Sequence, residues 1–367
     1  MRFAQAIVEK LVSFSPIVGI LGHRQAGKTT LLQKLAKNYA TLDDEETLEL
    51  AKESAKKFVG QFSGSLNGID ECQLAPNLFP ALKERIRKNQ KPGQFILSGS
   101  VRFTSRKAIK ESLTGRIVNC ELLPLTVSEL AHQELPTTCL KILKANNLDN
   151  VIENLEIETK SRIFLDKDID TYLEKGGLPG ICFIRDDKVR DSKIAEQLNT
   201  ILDRDVRMIY PTSLSFNQLL DFLAELAKSE GQPIKHSSIA RQVGISEATQ
   251  KKLLYAFESV FLIRRLEIFG GRRGFVVYLE DQAECAYLQG RSRDEQLNFE
   301  GLLYRNLRAQ FRYAIGLKTR EFQYLSRGKA RIPFAFECEF GALGIIALEG
   351  DTKDRKNKAC FQVFSRV

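Results

Sequence analysis

GILGHRQAGKTTLLQKL, Gly19 to Leu35, is the stretch that decides how this chain is read. Gly22 is followed by four residues and then by Gly27-Lys28-Thr29. Before it runs the apolar SPIVGILG, a strand signal, and after it KTTLLQKLAKNYA repeats Leu31, Leu32, Leu35 and Ala36 at helical spacing. A plain glycine turn between strand and helix does not ask for a lysine and a hydroxyl directly after its second glycine. A loop that curls its N–H groups around phosphate oxygens at a helix N-terminus does. Lys28 would then reach the β and γ phosphates, and the Thr29 hydroxyl would ligate a magnesium ion. The candidate nucleotide contacts are Gly22, His23, Arg24, Gln25, Ala26, Gly27, Lys28, Thr29 and Thr30.

Outward from the loop, YATLDD, ETLELAKESAKKF, GIDECQ, FPALKERIRK and FILSGS alternate strand and helix signals to about residue 125. Such alternation predicts a parallel sheet covered by helices. An NTP site needs an acidic residue at the end of a second strand, and GIDECQ supplies Asp70-Glu71. Asp70 would hold the metal and Glu71 would act as general base on the attacking water. The residues before them, SGSLNGID, carry two glycines and two serines, so this strand is expected to be weak or irregular, and a surface Asp-Glu turn is the alternative. In FILSGS, Ser98 or Ser100 could hydrogen-bond the γ-phosphate or its water.

The chain has 367 residues, 43% hydrophobic and 28% charged, enough for two or three domains with real cores. From about 126 to 260 helical patterns dominate, including NQLLDFLAELAKSEG and EATQKKLLYAFESV; from about 261 mixed segments return, with IPFAFECEF and LGIIALEG as a hairpin. SIARQVGISEATQKKLLYAF places Ile239, Ala240 and Val243 on one face, turns at Gly244 and caps the next helix with Ser246. In a DNA reader the second helix would offer Glu247, Thr249, Gln250 and Lys251 to a groove. The formal net charge is +9, and Phe261 to Arg331 holds 14 Lys/Arg against 8 Asp/Glu, with Arg264, Arg265, Arg272 and Arg273 clustered just after the motif. Basic residues between 264 and 331 are therefore candidate DNA contacts, with a packing module and a solvated face as the alternative. Seven scattered cysteines without a C-x-x-C pair and histidines only at 23, 132 and 236 argue against a zinc site and a disulfide framework. No apolar run reaches membrane-spanning length, Glu9 and Lys10 argue against a signal peptide, and a cytoplasmic protein without membrane contact is expected.

GHRQAGKTTLL, YATLDD, IDECQLAPNLFPALK, FILSGS, ESLTGRI and ELLPLTVSEL, in this order, resemble the prokaryotic AAA+ ATPases that join an N-terminal ATPase to a C-terminal domain of uncertain function. YLEKGGLPG, LDRDV, IARQVGISEATQKKLLYAFESVFLIRRL, VVYLED and FEGLLYRNL extend the resemblance over almost the whole chain. It implies an α/β P-loop AAA+ core with a parallel sheet over 1–130, a helical region with a winged-helix-like unit over 131–275, and an α+β domain like the restriction-endonuclease fold over 276–367. It also implies ATP as the nucleotide, and makes Arg116 of LTGR a candidate γ-phosphate contact, within its own subunit or across a homo-oligomer interface.

Enzymes of the restriction-endonuclease type hold a metal with an acid on one strand and Glu-x-Lys on the next. Here Pro333 and Phe334 stand in place of Val and the acid, and Asp351 in place of the lysine, leaving Glu349; Lys353 lies nearby and Glu300 holds the helical position. Glu337 and Glu339 read as exposed strand residues. A domain without nuclease activity, retained for structure or binding, is the expectation. The whole reads as a magnesium-dependent ATPase coupled to a DNA- or protein-binding region, or as an ATP-bound switch without turnover.

Overall fold

β1 (Ile17–Leu21) is buried along its whole length and pairs in parallel with β4 (Phe95–Gly99) on one side and β5 (Ile117–Glu121) on the other. The computed structural model of the protein describes residues 2–64, 66–103, 116–145, 166–271, 274–290, 295–315, 319–328, 330–339 and 341–346. β3 (Asn67–Asp70) adds to β4 and β2 (Asn38–Thr41) to β3, which gives the all-parallel order β2-β3-β4-β1-β5. Parallel strands buried on both faces need continuous apolar runs, and β1 and β4 have them. Because all five strands run the same way, Gly22, Asp70-Glu71 and Ser98-Gly99-Ser100 leave the sheet at one edge, the carboxyl edge where ligands of open α/β sheets bind.

β3 differs from its expected irregularity: it is a short regular strand, buried at every residue. Its glycine has a packing reason. A Cβ at Gly68 would lie 2.9 Å from Ala36 Cβ and 3.0 Å from the Leu32 side chain, so α2 (Lys28–Leu35) can press on the strand only if this position is bare. The polar start is satisfied as well, since Asn67 Nδ2 donates to the Gln94 carbonyl at 2.9 Å and Asn38 Nδ2 donates to Asn67 Oδ1 at 2.8 Å. On one face the core joins Ile69, Phe95 and Leu97 to α3 (Glu45–Glu53), α4 (Ala55–Gly60) and α5 (Leu78–Lys88), which buries Leu78, Phe79, Ala81, Leu82 and Ile86.

The chain divides into two compact units. The first comprises Met1–Leu125, Leu178–Phe216 and Lys251–Leu262; the second comprises Thr126–Gly177, Asn217–Gln250 and Ile263–Val367. The first thus contains helical segments from beyond the parallel sheet, among them the helix Asp187–Thr200 and the π-helical turn Ile201–Val206 that continues it. The second is built on a mixed sheet of order β10-β9-β8-β6-β7, from β6 (Ile263–Gly270), β7 (Phe275–Leu279), β8 (Arg320–Leu325), β9 (Arg331–Cys338) and β10 (Gly341–Ile345). Among the described residues of this sheet only β6 and β8 pair in parallel; the β9–β10 hairpin expected from IPFAFECEF and LGIIALEG is present. A division at residue 275 would fall at the first residue of β7 and separate paired strands of a single sheet. The core of this sheet holds Tyr278, Tyr304, Phe311, Phe334 and Phe336.

A side chain at Gly68 must displace α2 from β3, and overfilling a packed core costs about 1–3 kcal/mol. Gly68→Val is expected to lower stability by that amount in denaturant unfolding, with an unchanged midpoint counting against this packing.

Candidate nucleotide-binding site

The loop between β1 and α2 has the shape its sequence requires. Gly27 has φ +91°, in the left-handed region, and a Cβ at Gly22 would lie 2.2 Å from the Leu122 carbonyl oxygen. Gln25 also takes a positive φ, +58°, which is costly for a residue with a side chain. Lys28 is buried and its Nζ donates to the carbonyls of His23 at 2.8 Å and Gly22 at 3.1 Å, so the ammonium lies in the bend of the loop. Burial pushes its pKa down, while the charges of Glu71 and Asp70 act the other way. His23 and Ala26 are buried, Arg24 is half-buried, Gln25 is exposed, and Thr30 lies exposed in the first turn of α2.

The second half of the site comes from β3 and β4. Thr29 Oγ1 donates to Asp70 Oδ2 at 2.6 Å, and Tyr39 Oη donates to the same oxygen at 3.0 Å. Ser98 Oγ donates to the other oxygen of Asp70. Glu71 is buried at φ +54°, its N–H donating to Ser98 Oγ at 3.2 Å. Gln73 Nε2 donates to the Glu71 carboxylate and, at 3.1 Å, to Ser100 Oγ. Ser100 therefore stands within the hydrogen-bond network that holds Glu71. Burial raises the pKa of Glu71, against the attraction of Lys28.

A hydroxyl and a carboxylate are hard oxygen donors, suited to magnesium, and the glycine-shaped loop leaves main-chain amides for phosphate. Among the described residues no cluster of three or more His, Cys, Asp and Glu could hold a metal alone. A magnesium ion here would draw on Thr29 and Asp70 and complete its shell with phosphate oxygens and water.

Arg116 is placed elsewhere. It precedes Ile117, which pairs with Ile17 at the start of β1, whereas the loop follows Leu21 at the other end. At about 3.3 Å per residue the strand sets them roughly 16 Å apart. The register thus sets Arg116 at the end of β1 opposite the loop, away from a phosphate bound there.

Sequence reasoning missed Tyr39 and Asp205 and gave Gln73 no role. Arg24 Nε donates to Asp205 Oδ2 at 2.6 Å and Nη2 to Oδ1 at 3.4 Å, with Asp205 buried. The signal for it was LDRDV, three charged residues, Asp203, Arg204 and Asp205, flanked by the buried Ile201, Leu202 and Val206.

The other candidates are placed as follows. The helix His236–Val243 ends at Gly244 with φ +70°, and Ser246 Oγ accepts from Thr249 N at 3.2 Å, so the turn and cap are present. Gln250 is not offered to a groove: it is buried, with His236 Nδ1 at 2.8 Å and Nε2 donating to the His236 carbonyl. Much of the basic region is internally paired. Arg308 bonds Glu280 at 2.6 Å and faces Glu321 at 3.7 Å; Arg264 and Arg312 also face Glu321, Arg305 pairs with Glu230, and Arg331 with Glu300. Burial works against ionisation of Glu321, but Arg264, Arg308 and Arg312 outweigh it and lower its pKa. Arg265 lies over the Phe275 ring. Arg272 and Arg273 lie outside the described residues, as do Glu349, Asp351 and Lys353. Phe334 is a core residue, Glu300 is engaged by Arg331, and Glu337 is exposed. Five of the described cysteines are buried free thiols and Cys338 is half-buried. No helix of the described residues is long and apolar enough to cross a membrane.

Residues 14–131 match the AAA domain family, and residues 166–288 match a domain of unknown function. Uncharacterized proteins of Mycobacterium bovis and Mycobacterium tuberculosis are each 24% identical over 267 residues, which is 72% of this chain and 53% of theirs. The chain spans about half the length of these curated relatives. Among solved structures, the Walker-type ATPase of Pyrococcus abyssi is similar at TM-score 0.45 and 14% identity, covering 78% of this chain and 94% of that one. AMPPCP-bound DnaA from Aquifex aeolicus is similar at TM-score 0.25 and 16% identity, covering 70% and 85%.

Removing one partner of a buried charge network leaves the others uncompensated, at a cost of about 3–5 kcal/mol. Arg308→Ala is expected to destabilise the protein on that scale in urea unfolding, because it strips a partner from both Glu280 and Glu321.

Proposed function

We propose that the chain binds ATP with magnesium and hydrolyses it, and that turnover drives movement of a region that binds DNA or a protein. The observation that carries this reading is the 2.6 Å contact between Thr29 and Asp70, residues brought from the loop and from β3, with buried Lys28 on one side and Glu71 on the other.

Main-chain amides of the loop would hold the phosphates at the start of α2, where the helix dipole favours negative charge; those of Gly22 and Ala26 already donate to the carbonyls of Gly99 and His23. Lys28 exchanges its two carbonyl partners for phosphate oxygens. Bound magnesium would supply positive charge against the transferring phosphoryl group. Thr29 and Asp70 would hold that ion, and Ser98 and Tyr39 keep the Asp70 carboxylate oriented. Glu71 takes a proton from the attacking water. Its left-handed backbone and its bonds from Gln73 set the direction in which it faces.

Support for coupling comes from connectivity. The chain passes repeatedly between the two units, so residues of the ATPase unit and of the second unit alternate along the sequence. Within the second unit the internally paired arginines favour a protein partner over DNA. A cytoplasmic location agrees with this reading.

A second reading, an ATP-bound switch without turnover, rests on the engagement of Glu71 by Gln73 and Ser100, which withholds the base from water. Phosphate release separates the two. For an ATPase, Glu71→Gln is expected to lower kcat by about 10²–10⁴-fold while ATP still binds, as loss of a general base does. Lys28→Ala is expected to abolish both binding and turnover. Tight ATP binding by wild type with no phosphate release establishes the switch; no affinity for Mg-ATP overturns both.

A further inference from the structure

Two segments distant in sequence return to the phosphate loop within the first unit. A Cβ at Gly180 would lie 2.6 Å from Gln25 Oε1, and Pro179 Cγ is 3.7 Å from where a Cβ of Gly27 would stand. The second segment is the π-helical turn Ile201–Val206, whose Asp205 grips Arg24 by Nε and Nη2. The motifs YLEKGGLPG and LDRDV, which the chemistry of hydrolysis leaves unused, thus both bear on residues 24–27.

Asp205 is an expensive residue to keep there. It is 1% exposed, so its carboxylate has lost nearly all its hydration, and its negative charge opposes any phosphate bound beside it. An apolar side chain would suit a turn whose Ile201, Leu202 and Val206 are already buried. What the carboxylate gains is a fixed guanidinium. A two-point contact immobilises a side chain that otherwise samples many rotamers, and it leaves Nη1 as a donor for a phosphate oxygen. Asp205 also has a second cation, Arg204, whose Nε lies 3.1 Å from Oδ1 on the same turn. If a phosphate draws Arg24 toward itself, Asp205 keeps a partner and no bare charge remains buried.

We propose that Asp205 is a positioning residue of the nucleotide site: it aims Arg24 at the terminal phosphate and makes the segment Leu178–Phe216 responsive to whether a triphosphate or a diphosphate is bound. This rests on the ATPase reading above. Arg24 is the contact; Asp205 acts through it. The segment answers to the nucleotide because its hold on the loop runs through the group that the terminal phosphate competes for.

The test uses the full chain with Mg-ATP and Mg-ADP, and reads steady-state kinetics together with tryptic cleavage at the exposed Lys188 and Lys193 and at Arg185 beside them. In wild type, cleavage of this segment is expected to differ severalfold between the two nucleotides. Asp205→Asn is expected to erase that difference and to lower kcat by about tenfold to a hundredfold, the scale of a misplaced positioning group. KM for ATP should stay within about threefold, since binding of the remaining phosphates is untouched. Asp205→Glu, which keeps the charge, should recover part of both. If Asp205→Asn does not fold, Arg24→Ala is expected to show the same pair of losses. Wild-type kcat and wild-type nucleotide-dependent cleavage in the variant overturn the proposal, as does identical cleavage of wild type in ATP and ADP. A wild type that hydrolyses ATP yet gives either result removes only this inference; a wild type that does not bind Mg-ATP removes the ATPase reading and this one with it.

Discussion

The hydroxyl of Thr29 and the carboxylate of Asp70 meet at 2.6 Å, and the site exists because they do. One sits on α2 and the other at the end of β3, and in strand order β4 stands between β3 and β1, the strand that feeds the loop. Their meeting requires α2 to lie close over β3, which the bare backbone of Gly68 permits, and it requires parallel strands, which deliver every loop to one edge. Remove either condition and the loop could still curl, but the Asp70 carboxylate would stand away from it.

Two residues with side chains hold left-handed backbone in the same site, Gln25 at φ +58° and Glu71 at φ +54°. Each costs on the order of 1–3 kcal/mol unless the surroundings enforce it. For Glu71 the enforcement is visible: its N–H is anchored by Ser98, and its carboxylate by Gln73 with Ser100 behind. The exposed Gln25 has its side chain beside Gly180. Strain of this kind persists where it directs a group, and here it directs the general-base candidate and the crest of the phosphate loop.

The loop and the Asp-Glu pair were legible because their chemistry dictates residue types at fixed spacing. The strand before the acids looks irregular in sequence for a physical reason: Gly68 and Asn67 resemble breakers until α2 and Gln94 are seen to occupy the space and the hydrogen bonds. Gln73 and Ser100 carry no spacing rule, since a second layer of hydrogen bonds can come from any polar side chain of suitable reach. Arg116 shows the opposite error. A motif position suggested a phosphate contact, but register puts it at the far edge of the sheet. Asp205 could not be tied to the loop from sequence, because 181 residues separate it from Arg24 and only the fold closes that interval.

Charge counting was the least informative signal, and the structure says why. Arg264, Arg308 and Arg312 surround Glu321, itself buried and held ionised by them. Arg305 and Arg331 are likewise bound to Glu230 and Glu300. A guanidinium committed to a buried carboxylate contributes little to the field outside and cannot release counterions from a nucleic acid without first breaking that pair. The formal excess between 261 and 331 therefore overstates the cationic surface open to a partner. Arg305 and Arg308 tie helix Glu295–Gln310 to Glu230, Glu280 and Glu321, and Glu300 of the same helix holds Arg331 of β9. Among the described residues, Arg264, Arg305, Arg308, Arg312 and Arg331 thus serve the internal structure of the second unit.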